Sequence, residues 1–142
     1  MKNKILLLLF PALLLSGCTQ KNVAQNVVRI DNKEIKVVLA KNEAEWERGL
    51  SGKPGLGENE GMLFIFPGTA VRKFWMKDMN FNLDIIWIRD NRIIKISKNL
   101  PREGDQPKKI YSSDRPVNYV IEVNAGWTDR NNIKVGDEVK MR

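Results

Sequence analysis

The sequence predicts a mainly β domain over residues 27–142, either barrel-like or built of two packed sheets, with one short α-helix near residues 43–50. Short runs rich in Val, Ile, Leu and aromatic residues recur along the chain. Turn-forming residues punctuate them at roughly the eight-to-twelve-residue spacing of all-β domains. One segment alone carries a helix start signal, a helix-compatible interior and a stop.

In chain order, residues 27–30 and 35–40 are β-branched runs flanking Asp31-Asn32, which reads as an opening hairpin. Asn42 offers an N-cap, and Glu45 stands three residues later as in a capping box, so a helix is expected from Glu43 to Leu50, stopped by Gly52 and Pro54. Residues 51–61 hold Gly52, Pro54, Gly55, Gly57 and Gly61 and must be loop. Their spacing matches neither a phosphate-binding loop nor a dinucleotide fingerprint. A loop of this length in a small domain is often functional. Residues 62–66 read as a buried strand ending at Pro67-Gly68, residues 71–76 as a second, and residues 83–88 as a third. Asp90-Asn91 turns the third into residues 92–98. Residues 100–108, with Pro101, Gly104 and Pro107, form another loop. Residues 117–123 alternate, placing Val117, Tyr119, Ile121 and Val123 on one face and Glu122 on the other. A turn or single helical turn over residues 124–132 and a closing strand over 138–141 complete the domain.

The N-terminal segment has a different logic. Lys2 and Lys4 precede an apolar run, residues 5–15, broken by Pro11, and small residues Ser16-Gly17 stand before Cys18. This is the layout of a secretory signal. As a helix the run would span about 16 Å, half a bilayer core, too short for a permanent anchor. Leu15-Ser16-Gly17-Cys18 resembles the lipobox of bacterial lipoproteins, which implies cleavage before Cys18 and acylation of its thiol. The expected organisation is a cleaved signal peptide over residues 1–17, a lipidated Cys18 with a polar tether to residue 26, and a single domain over 27–142. The expected partner is then the membrane, held through diacylglycerol and acyl chains on Cys18, and the expected location is extracytoplasmic. Two chains suffice for stable anchoring. Thr19, where Asp would signal inner-membrane retention, points to the outer membrane if the host has one.

Composition excludes whole classes of chemistry. There is no histidine, and the single cysteine is the lipidation candidate. Ser-His-Asp and Cys-His catalysis, histidine zinc helices, CxxC redox pairs and intrachain disulfides are therefore ruled out. No cofactor and no metal site are expected. Removal of residues 1–17 leaves a formal charge of +5, with basic residues scattered apart from Arg89, Arg92, Lys95 and Lys98 and the pair Lys108-Lys109. Nucleic-acid recognition usually needs a clustered basic stripe, so nucleic acid is not an expected partner.

Five blocks carry a family resemblance: Arg48-Gly49-Leu50-Ser51, residues 61–66, residues 74–79, residues 83–88 and Gly136-Asp137. Their order and content resemble the bacterial and archaeal family called domain of unknown function 192, over about residues 35–141. Asn82 departs from the pattern, which usually has proline there. The resemblance implies a small β-rich barrel-like domain with a short helix, in proteins often exported or membrane-associated, and it implies no activity.

Three constellations remain. Asp78, Asn80, Asn82 and Asp84 repeat at every second position, yet Leu83 and Arg89 stand where a calcium loop needs glycine and a bidentate glutamate. The stripe reads as a polar strand face or turn. Trp75, between Phe74 and Met76, is placed to stack a planar or sugar-like ligand whose hydroxyls Asp78 or Asn80 would hold. Arg48 is expected to pair with Asp84 or Glu122, as a structural ion pair or a ligand clamp. Any catalysis would have to use Asp78, Asp84 and Glu122 as an acid/base set, with Lys77 stabilising charge. The functional expectation is thus a lipid-anchored envelope binding or accessory protein with a glycan or protein partner. The alternatives are a carboxylate-based hydrolase of an envelope polymer and a purely structural lipoprotein.

Overall fold

The computed structural model describes residues 26–141; the signal segment, Cys18 and the tether up to residue 25 lie outside the described residues. β1 (Asn26–Ile30) and β2 (Lys33–Ala40) form the expected hairpin, with Ile30 opposite Lys33. Asp31 turns the chain at a φ of 51°, a left-handed conformation that aspartate tolerates better than branched residues. In α1 (Glu43–Arg48) the Asn42 side chain accepts the Glu45 N–H at 3.1 Å, and the Glu45 carboxylate accepts the Lys41 N–H at 2.6 Å. The Lys41 bond contributes most to holding the Glu45 carboxyl below its ordinary range. The helix stops short of Leu50 because Gly49 takes φ 49° and ψ −130°, a region essentially confined to glycine.

The remaining elements are β3 (Glu60–Ala70), β4 (Lys73–Trp75), β5 (Leu83–Arg89), β6 (Arg92–Leu100), β7 (Ile110–Ser112), β8 (Val117–Asn124), α2 (Trp127–Arg130) and β9 (Val139–Met141). The strand expected to end at Pro67-Gly68 runs through both residues as β3. Its register against β8 shifts between Ile65 and Ala70, and this irregularity accommodates a proline that offers no N–H. The expected strand over 71–76 shrinks to β4, which leaves the main sheet and pairs with β7. β7 carried no sequence signal because three residues are too few to display alternation.

Seven strands form one sheet in the order β6-β5-β8-β3-β2-β1-β9. All neighbours are antiparallel except β2 and β3, whose parallel pairing requires the crossover supplied by α1 and the Gly/Pro loop. The sheet curls into a half-barrel whose two outer strands meet at one corner. There Arg92 bridges Glu138, the Val139 N–H donates to the Asn91 carbonyl at 2.8 Å, and the Ile93 N–H donates to that of Asp137 at 3.1 Å. Strand alternation divides the apolar side chains between the two faces. All seven strands contribute to the cluster inside the curl, which includes Ile30, Ile35, Leu63, Ile86, Ile121 and Val139 and is plugged by Trp127 of α2. The opposite face, with Met62, Phe64, Ile85, Trp87 and Val120, is covered by Leu50, Met76, Met79 and the small sheet. Where β3 crosses β8, a Cβ on Gly61 would lie 2.5 Å from the Glu122 carbonyl oxygen, so only glycine allows these strands to approach.

Asp84 is fully buried at the head of β5. Its Oδ1 accepts the N–H groups of Asn99 (2.8 Å) and Gly126 (3.1 Å), and its Oδ2 accepts the Thr128 N–H (3.1 Å) and hydroxyl (2.6 Å). A carboxylate only accepts, and here four donors converge on it. The ion pair expected between Asp84 and Arg48 is absent. Asp84→Ala would leave three backbone N–H groups without this acceptor, that of Thr128 buried and those of Asn99 and Gly126 partly buried, and chemical denaturation is expected to show a loss of about 3 kcal/mol.

Candidate functional site

Between α1, β3 and β4 the outer face of the sheet opens into a cavity of about 590 Å³, within the range of about 300–1,000 Å³ usual for small-ligand sites. Its walls are aromatic. Trp46 is fixed by an Nε1–H bond to the Ala40 carbonyl at 3.0 Å, and its ring lies 4.9 Å from that of Phe66. Phe74 meets Phe64 edge to face at 4.8 Å and Trp87 at 5.4 Å, which locks the inward side of β4 onto the sheet. Alternation then turns Trp75 outward beside its β7 neighbour Ile110. Trp75 is 42% exposed and lines the cavity, with the Lys77 ammonium 5.9 Å from its ring centre.

Two of the polar residues that line it, Glu122 and Arg72, carry buried atoms without a hydrogen-bond partner among the described residues. Glu122 lines the cavity from β8, flanked across the strands by Met62 and Ile85. It is 4% exposed, and its buried Oε2 has no hydrogen-bond partner among the described residues. Burial among apolar neighbours pushes its carboxyl up to about 8, so at neutral pH it is mainly the uncharged acid. Arg72, between β3 and β4, lays its guanidinium 4.0 Å over the Phe66 ring and donates from Nη2 to the Gly68 carbonyl at 3.0 Å. Its buried Nε–H also lacks a partner among the described residues.

The residues singled out from sequence are not all brought together. Trp75, Arg48 and Glu122 share the cavity. Asp78 and Asn80 do not line it: they sit on the turn between β4 and β5, where Asn80 Nδ2 donates to the Lys53 carbonyl at 2.9 Å. Asn82 Oδ1 accepts the Arg102 N–H at 2.9 Å, so the polar stripe is a set of loop fasteners. Asp84 and Glu122 lie on opposite faces of the sheet, because Asp84 pairs with Val123 and Glu122 with Ile85. Asp78, Asp84 and Glu122 therefore do not converge. Arg48 makes no ion pair with Asp84 or Glu122; the ion pairs among the described residues lie elsewhere, on Arg29, Lys95, Lys98 and Lys140. Sequence reasoning missed Trp46, Phe66 and Arg72, since only folding brings these segments into one wall.

Residues 26–141 match the model of domain of unknown function 192, described as uncharacterized ACR. The chain is also similar to two crystal structures. One, from Sinorhizobium meliloti 1021 and described as a candidate transcription regulator, is 31% identical with a TM-score of 0.76, covering 83% of this chain and 94% of that one. The other, a protein of unknown function from Novosphingobium aromaticivorans DSM 12444, is 30% identical with a TM-score of 0.73, covering 82% and 83%. No curated protein matches the chain.

Glu122 gives the site a measurable pH signature. Its folded-state value, about 8, lies above the ordinary 4.5, so the folded protein holds a proton that the unfolded chain has released between those values. The stability supported by the neutral acid is complete below pH 4.5 and is lost as pH rises towards 8. Urea denaturation of the wild type and Glu122→Gln at a series of pH values is expected to give a stability difference that shifts in favour of the variant across this window, by about 1.4 kcal/mol per pH unit at most.

Proposed function

The chain belongs to the family named domain of unknown function 192, and from that premise we propose that it is a lipid-anchored extracytoplasmic binding protein whose ligand enters the cavity beside Trp75. The observation that carries the reading is an exposed tryptophan at an aromatic-walled opening, a surface that costs free energy in water and is recovered when a ligand covers it. The signal layout before Cys18 supports anchoring outside the cytoplasm, where the ligand would be an envelope component such as a glycan segment or a protein partner. Arg48 and Trp75 keep the roles read from sequence, clamp and stacking platform, and Glu122 replaces Asp78 and Asn80 as the polar contact. The separation of Asp84 from Glu122 favours binding over hydrolysis.

The description of the Sinorhizobium neighbour raises nucleic acid as a different partner. Against it stand the commitments of the densest basic group: Lys95 pairs with Asp114, Lys98 with Asp129, and Arg92 donates to the Gly136 carbonyl at 3.0 Å. Side chains tied to acidic neighbours offer a weak electrostatic footprint for phosphate.

Two experiments test this reading. Trp75→Ala is expected to reduce binding of solubilised envelope fragments at least tenfold, followed by tryptophan fluorescence, while thermal melting stays near the wild type because the side chain is exposed. Unchanged binding would remove Trp75 from the site. Cys18→Ala is expected to move the protein from the membrane fraction to the soluble fraction, and unchanged fractionation would overturn the anchoring.

A further inference from the structure

The two orphaned polar groups in the cavity specify the chemistry of what it holds. Among the described residues the buried Nε–H of Arg72 has no acceptor and the buried Oε2 of Glu122 has no hydrogen-bond partner. Each is costly to bury unpaired, and each is satisfied by an oxygen acceptor if the carboxyl keeps its proton. The remaining charges around the opening are Glu43, Glu47 and Arg48 on α1 and Lys73 on β4, all exposed. With Glu122 neutral, the lining carries a net positive charge, and the Arg72 guanidinium forms no ion pair among the described residues. Guanidinium donors favour carboxylate or phosphate oxygens, whereas the aromatic walls favour a ring with an apolar face.

Resting on the reading of this cavity as a ligand site, we propose that it binds an acidic saccharide, a sugar ring that stacks on Trp75 while its carboxylate is held by Arg72 and Glu122. A cationic ligand meets Arg48, Arg72 and Lys73, and an uncharged sugar leaves the Arg72 guanidinium without a counter-charge. Glu122 keeps its proton and donates a hydrogen bond from its carboxyl O–H to the ligand carboxylate, and its ionisation at high pH sets two negative charges against each other. Binding therefore weakens at pH values above Glu122 titration.

The test uses the full-length protein in detergent, titrated with glucuronate and, in parallel, glucose, following tryptophan fluorescence. Glucuronate is expected to bind at least tenfold more tightly than glucose. Arg72→Lys, which keeps charge and stem but loses the Nε–H, is expected to lose most of that preference. Glu122→Gln, which keeps a donor but cannot ionise, is expected to bind glucuronate at pH 7 and to lose the decline at alkaline pH. Equal binding of the two sugars overturns the acidic-saccharide assignment while leaving the cavity a ligand site. Unchanged selectivity in Arg72→Lys also overturns it. If neither sugar binds but envelope fragments still perturb Trp75, the assignment fails alone; if fragments fail as well, the binding reading falls with it.

Discussion

The buried carboxylate of Asp84 is the fixed point of this fold. Donors from β6, the turn before α2 and α2 itself meet on its two oxygens, none of them a charged side chain. Neutral donors avoid the second desolvation that a buried ion pair would require. They also tie two segments distant in sequence, the end of β6 and the start of α2, to the head of one strand. α2 has only four residues and no side-chain cap of its own, so Asp84 supplies the acceptor for its first turn and thereby seats Trp127 in the interior of the curl. With that end plugged, the sheet can present its other face to α1 and the small sheet.

Pleating then gives the two buried carboxyls opposite surroundings. Asp84 and Glu122 stand near each other on adjacent strands, yet one residue of register sends them to opposite faces. Asp84 meets four donors and is structural. Glu122 lies among Met62, Ile85 and Phe64, and burial there, with no donor among the described residues to offset it, keeps it mainly uncharged at neutral pH beside the cavity. Gly49 belongs to the same arrangement: a Cβ there would come within 3.4 Å of the Phe64 ring and 3.9 Å of Glu122 Oε2. The Arg-Gly that ends α1 thus lets the helix close over the carboxyl without filling the space around it.

The mainly β class, the single longer helix and both Asp-Asn hairpins were legible in the sequence because they rest on local signals: β-branched runs, an asparagine cap and residues that tolerate positive φ. The passage of β3 through Pro67-Gly68, the three-residue β7 and the departure of β4 from the main sheet were not, because each depends on register against a remote partner. The site divides in the same way. Trp75 announced itself by its neighbours Phe74 and Met76, and alternation does turn it outward. Asp78 and Asn80 looked equally suitable, but a turn at Asp78, with φ 53°, directs that segment into fastening loops. Arg72 and Trp46 have no sequence signal in common, and only the crossover between β2 and β3 makes them walls of one space.

The corner where β6 and β9 meet bears on how this protein behaves in company. An open seven-stranded sheet would expose two rows of unpaired amides and carbonyls, each a template for adding a strand from another molecule. Here one row is three residues long and is joined to the other by the Arg92–Glu138 bridge, and the rest of β6 carries Lys95 and Lys98. Confinement to a membrane surface would raise the local concentration of neighbouring copies and favour edge-to-edge aggregation. A curled sheet joined at this corner and bearing lysines along its margin leaves few edge groups open to such association.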